Sequence, residues 1–103
     1  MAVKLTADSF ENEVLSADGL VAVDFFSDSC VPCKRMSPVI AELEEERGDV
    51  KFAKLNINFD GEIAERYGVT SVPTLIFFKN GEEKARLTGA QKKAAIAEII
   101  DNI

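Results

Sequence analysis

The chain has 103 residues, 47% of them hydrophobic, and a formal net charge of −6 from 12 basic and 18 acidic side chains. That length suits one domain, residues 1–103, and the hydrophobic share is globular rather than disordered. The acidic balance argues against a phosphate-binding surface, which needs clustered Lys and Arg, so nucleic acid is not expected as a partner. No apolar run approaches the roughly 20 residues that span a bilayer. The opening Met1-Ala2-Val3-Lys4-Leu5-Thr6 lacks the apolar stretch of a secretory signal. A cytoplasmic protein with no membrane association is the expectation. The densest charge patch, Glu42, Glu44, Glu45 and Glu46, reads as the solvated side of a helix.

Taken in order, Asp8-x-x-Glu11 has the spacing of a capping box and predicts the start of a first helix. Ala7, Phe10, Val14 and Ala17 recur at helical spacing before Gly19. Leu20 to Phe26 is nearly continuous in apolar residues, the pattern of a strand covered on both faces, and Asp24 alone interrupts it. A helix is expected from about Pro32, where a missing N–H is harmless. Met36, Val39, Ile40 and Leu43 form its buried stripe, Pro38 should kink it, and Gly48 should end it. Val50 to Ile57 predicts a strand and Glu62 to Tyr67 a short helix ending at Gly68.

Thr74 to Phe78 predicts another buried strand, and Asn80-Gly81 is a strong hairpin signal. In the strand that follows, Ala85 and Leu87 alternate with Lys84, Arg86 and Thr88, as on an edge with one wet face. A last helix from about Ala90 would bury Ile96, Ile99, Ile100 and Ile103. The sum is an α/β fold, a βαβ half followed by a hairpin half, with helices on both faces of a mixed sheet.

Both cysteines fall in Cys30-Val31-Pro32-Cys33, where a strand gives way to a helix. A Cys-x-x-Cys at such a junction reads as a redox dithiol, because the N–H groups and dipole of a helix N-terminus stabilise a thiolate. A structural staple is the weaker reading, since so short a loop contributes only about 2 kcal/mol in the chain-entropy model. Zinc is weaker still, because the chain has two cysteines and no histidine and a closed site needs four ligands. For Asp24 two readings are evenly matched on pattern alone. A buried carboxyl with a raised pKa would suit proton transfer, and a strand-end Asp reaching solvent would not. Lys54, in the neighbouring strand, is a candidate partner for it. Val72-Pro73 precedes a strand, where spacing alone favours a trans proline.

Together these residues resemble the thioredoxin family. The likeness runs through Val23-Asp24-Phe25, Cys30-x-Pro32-Cys33-Lys34, Pro38, Lys54-Leu55-Asn56, Tyr67-Gly68-Val69, Val72-Pro73-Thr74, Phe78-Lys79-Asn80-Gly81 and Gly89. It implies a thioredoxin fold, a central mixed five-stranded sheet flanked by four helices, and a cis Pro73 facing the dithiol. It also implies reduction of protein disulfides. Cys30 would be the exposed nucleophile and Cys33 the more buried resolving thiol, with Asp24 as proton carrier and Lys54 beside it. Disulfide-containing target proteins would dock by strand addition at Val72 and Pro73, bordered by Val31, Pro32 and Gly89. A thioredoxin reductase would restore the dithiol of a monomer needing no cofactor beyond the redox-active disulfide. Other roles on this fold are disulfide oxidase or isomerase, or a binding module without thiol turnover. The chain departs from the family at Ser29 and Phe26, where Trp is usual, and at Val31, where Gly is usual.

Overall fold

A computed structural model of the protein describes residues 2–103. Its core is a five-stranded sheet in the order β1-β3-β2-β4-β5, built from β1 (Val3–Lys4), β2 (Leu20–Phe26), β3 (Val50–Asn56), β4 (Thr74–Lys79) and β5 (Glu82–Thr88). β1, β3 and β2 run parallel, whereas β4 and β5 are antiparallel to their neighbours. Four helical segments flank the sheet: a π-helical stretch at Glu11–Leu15, α1 (Val31–Glu46), α2 (Gly61–Arg66) and α3 (Lys93–Asn102). The expected mixed sheet and its four helices are therefore present.

Alternation along the strands sorts the interior into two clusters. Val21, Val23 and Phe25 of β2 join Ala53, Leu55, Ile76 and Phe78 on one face, packed against Phe10, Val14, Ile63 and Ala64. Ala22 joins Phe52, Leu75 and Phe77 on the other, covered by Met36, Ile40 and Leu43 of α1 and by Ile96 and Ile100 of α3. By the same parity Asp24 lies on the α1 face, as does Lys54, its register partner on β3.

Three local expectations change. The capping box sits two residues earlier than Asp8-x-x-Glu11. Thr6 N–H donates to Ser9 Oγ at 2.9 Å, and Ser9 N–H donates to Thr6 Oγ1 at 3.1 Å. A hydroxyl at each end of the turn satisfies both amides, and the chain then widens into i→i+5 bonding, with Ser16 N–H on Glu11 O. The last helix begins at Lys93 rather than near Ala90, because Gly89 is left-handed at φ +88° and Lys92 is still extended. Finally, Arg86 is not simply wet. It is partly covered, donating to the Tyr67 carbonyl and pairing with Glu83.

The Asn80-Gly81 hairpin holds, with φ of 55° and 80° at its two central residues, the left-handed pair that matches strand twist. Gly81 is also closely packed, since a Cβ there would stand 3.1 Å from the Leu15 carbonyl oxygen. Pro38 lies inside α1 as expected. Phe77 is fully buried between the sheet and the two long helices. Phe77→Ala should therefore cost about 3–5 kcal/mol in urea unfolding, and a loss below about 1 kcal/mol would show that this layer is not close-packed.

Candidate functional site

β2 ends at Phe26, and three loop residues later Cys30 caps α1. Cys30 has extended backbone (φ −86°, ψ 108°), its Sγ accepts the Cys33 N–H at 3.1 Å, and its carbonyl accepts the Lys34 N–H at 3.3 Å. Pro32 occupies the first turn, where no N–H is needed. The sulfur that caps the helix is thus the one facing its positive end. Cys30 and Cys33 are joined in a disulfide. The expected contrast in exposure is slight: Cys30 is 9% exposed and Cys33 6%. Capping and the S–S bond hold Cys30 nearly as deep as its partner, so what separates the two thiols is position along the helix dipole. Val31 stands out beside them at 57% exposed, and Pro32 and Ser29 are exposed as well.

Asp24 is 8% exposed, and its Oδ1 is buried with no hydrogen-bond partner. Burial pushes its pKa from the ordinary 3.8 up to about 6, with the Lys54 ammonium pulling it back. Lys54 is half-buried, its Nζ 6.0 Å from the Phe26 ring centroid. Asp24, Cys33 and Lys54 line one cleft of roughly 190 Å³, together with Phe26 and Ser37. The structure thus unites the sequence candidates Cys33, Asp24 and Lys54. It also adds Ser37, which follows Cys33 by four residues, a spacing that marks one helix face.

The remaining candidates gather at the same end of the sheet. Thr74, the first residue of β4, pairs with Phe25 near the end of β2 and with Thr88 at the end of β5. Pro73 and Gly89 therefore emerge beside the dithiol loop. The Val72-Pro73 bond is cis, against the preference of spacing alone and as the family resemblance implies. Pro73 is buried, and its carbonyl accepts the Gly89 N–H at 2.8 Å. Val72 is half-buried and lies outside the strand ladder. Asp28 ties this end together by accepting from Asn56 Nδ2 at 2.9 Å. Beyond it stands Phe59, 78% exposed, which sequence reasoning did not single out.

Compared with known proteins, residues 1–102 match the family model described as Thioredoxin. The chain belongs to the thioredoxin family. It is similar to the thioredoxin of Rickettsia bellii, with 42% identity over 103 residues covering 99% of this chain and 98% of that protein. It is also similar to the thioredoxin of Pseudomonas aeruginosa, with 41% identity over 100 residues, 96% of this chain and 93% of that one. The thioredoxin of Chlamydia caviae is 41% identical over 101 residues, 98% and 97% of the two chains. Family membership together with the Cys30–Cys33 pair makes the chain a thiol–disulfide oxidoreductase acting as a protein-disulfide reductase. Among the described residues no cluster of three or more His, Cys, Asp or Glu could hold a metal ion, and no helix is long and apolar enough to cross a membrane.

Because the Asp24 pKa is raised on folding, ionising the carboxyl opposes the folded state. Its contribution to stability is intact below pH 3.8 and is lost as pH rises through about 6. Asp24→Asn, which cannot ionise, should therefore stabilise the protein by about 3 kcal/mol near pH 8, by about 0.5 kcal/mol near pH 4 and by almost nothing near pH 3. Urea unfolding of both proteins at these pH values checks this. An equal difference at all of them would refute a raised carboxyl.

Proposed function

We propose that this chain reduces disulfides of other proteins with Cys30 as nucleophile, Cys33 as resolving thiol and Asp24 as proton acceptor. The observation that carries the reading is the Cys30 sulfur capping α1, with the Cys33 N–H 3.1 Å away. With the S–S bond open, that N–H and the helix dipole favour a thiolate on Cys30. The thiolate attacks one sulfur of the target disulfide, forming a mixed disulfide and expelling the other target sulfur as a thiolate. Cys33 then gives its proton to Asp24 and attacks Cys30. The target's second sulfur leaves with the electron pair of the broken bond and is protonated from solvent. Two electrons pass to the target, and the chain is left as the Cys30–Cys33 disulfide.

A carboxylate with a pKa of about 6 lining the same cleft as Cys33 supports the proton step, being largely ionised and basic at neutral pH. Lys54 fits as the cation that keeps it from rising further. Val72, outside the ladder beside Pro73, supports strand addition by an extended target segment, with Val31, Pro32 and Gly89 bordering it. We read the chain as a single-domain monomer, residues 1–103, working in the cytoplasm. A thioredoxin reductase would restore its dithiol, with no cofactor beyond the redox-active disulfide and no nucleic-acid or membrane partner. The relatives named thioredoxin support this setting.

Cys30→Ser should abolish reductase-coupled reduction of insulin, whereas Cys33→Ser should accumulate a mixed disulfide releasable by dithiothreitol. Full turnover in Cys30→Ser would sink the assignment. Ser29 and Val31 flank the nucleophile where the family usually has Trp and Gly, so equilibration with a glutathione buffer tests direction of action. A reductase stays a disulfide under all but strongly reducing mixtures. A readily reduced bond would instead favour an oxidase or isomerase.

A further inference from the structure

Asp24 is a shared wall of two clefts. One, about 190 Å³, leads from Asp24 to Cys33 and Lys34. The other, about 390 Å³, leads from Asp24 beneath α1 toward Lys4, Glu44 and Glu45. Asp24, Lys54 and Ser37 line both. The reaction as described uses the first two and leaves Ser37 without a part.

Position and chemistry suggest one. Ser37 follows Cys33 by one turn of α1, so the two side chains lie on one helix face, and helical side chains lean back toward the N-terminus. Ser37 is exposed at the edge of the cleft that Cys33 and Asp24 line, and that lean directs its side chain back along α1 toward Cys33. Asp24 lines this cleft, and its Oδ1 is buried without a hydrogen-bond partner. The other polar group common to both clefts, the Lys54 ammonium, can only donate, whereas a hydroxyl donates and accepts through one oxygen.

We infer that Ser37 is a positioning residue for the second step, its hydroxyl holding the water that links the Cys33 thiol to the Asp24 carboxylate. This rests on Asp24 being the proton acceptor. The Cys33 S–H proton passes to the water as a water proton passes to Asp24. The sulfur's electron pair forms the bond to Cys30, and the target sulfur departs with the pair of the bond that breaks. Charged groups reach these clefts from every side: Lys54 from β3, Lys4 from β1, Glu44 and Glu45 from α1, and Asp28 and Lys34 near the dithiol. Two uncharged hydroxyls line the smaller cleft: Ser27, from the loop before the dithiol, and Ser37, which alone lies on the helix face of Cys33 and lines both clefts.

The test uses the reduced full-length chain and a limiting amount of dithiobis(nitrobenzoate). Attack by Cys30 releases one coloured thiolate and attack by Cys33 releases the second, so one trace reports both steps. Ser37→Ala should leave the first release unchanged and slow the second by about two- to tenfold, the rate equivalent of one hydrogen bond. The pH midpoint of the second release should rise, since the water that donates to the ionised carboxylate loses its anchor. Ser37→Thr should restore the rate, and in the Asp24→Asn background Ser37→Ala should add no further slowing.

An unchanged second release in Ser37→Ala would overturn the inference, as would equal slowing of both steps or further slowing on top of Asp24→Asn. Those outcomes leave Asp24 in place provided Asp24→Asn alone slows the second release. If Asp24→Asn alone leaves that release at the parent rate, it is the proton-acceptor reading that fails.

Discussion

A carboxylate inside a sheet must be offset by something, and of the two register neighbours of Asp24 on that face, Lys54 and Leu75, Lys54 alone carries charge. The helix above it cannot be sealed down as it is over Ala22, where Met36, Ile40 and Leu43 pack tightly. Beside Asp24, α1 stands over clefts instead, with Ser37 lining both and Cys33 the smaller one. The polar break in β2 and the chemistry at the head of α1 are therefore one arrangement. The apolar remainder of β2 anchors the sheet, and its single charged residue borders both clefts, one of which reaches Cys33.

Much of the fold could be read from the chain because its signals are local. The apolar run of β2 matches Leu20–Phe26 residue for residue, and the Asn80-Gly81 turn needs a backbone that few other pairs adopt. The readings that shifted concern ends, where small polar groups compete. Thr6 and Ser9 cap each other in place of the acidic pair, and left-handed Gly89 delays α3 to Lys93. β1 is two residues long, too short for any periodicity to show.

The site divides in the same way. Two cysteines at the start of a helix announce themselves, as does a lone acid in an apolar strand. That Asp24 and Lys54 stand side by side depends on the parallel register of β2 and β3, which no single segment encodes. Pro73 is harder still, because trans is the commoner isomer and only the resemblance of the whole chain pointed to cis. The similar burial of Cys30 and Cys33 was not visible at all, since it arises from a sulfur turned in to cap its own helix. Ser37 has a legible spacing, but a serine four residues after a cysteine signifies little until an unpartnered carboxylate lies beneath it.

The margins of the sheet bear on which strands the molecule can accept. β1 offers only two residues, and β5 carries Glu82, Glu83, Lys84 and Arg86 with a register irregularity opposite Phe77 and Phe78. Short, charged and kinked edges are poor templates for another strand. Here both outer edges are blunted, and Val72 lies outside the ladder, two residues before Thr74, which pairs with Phe25 near the end of β2. Neither outer edge of the sheet offers a long, regular template for backbone pairing.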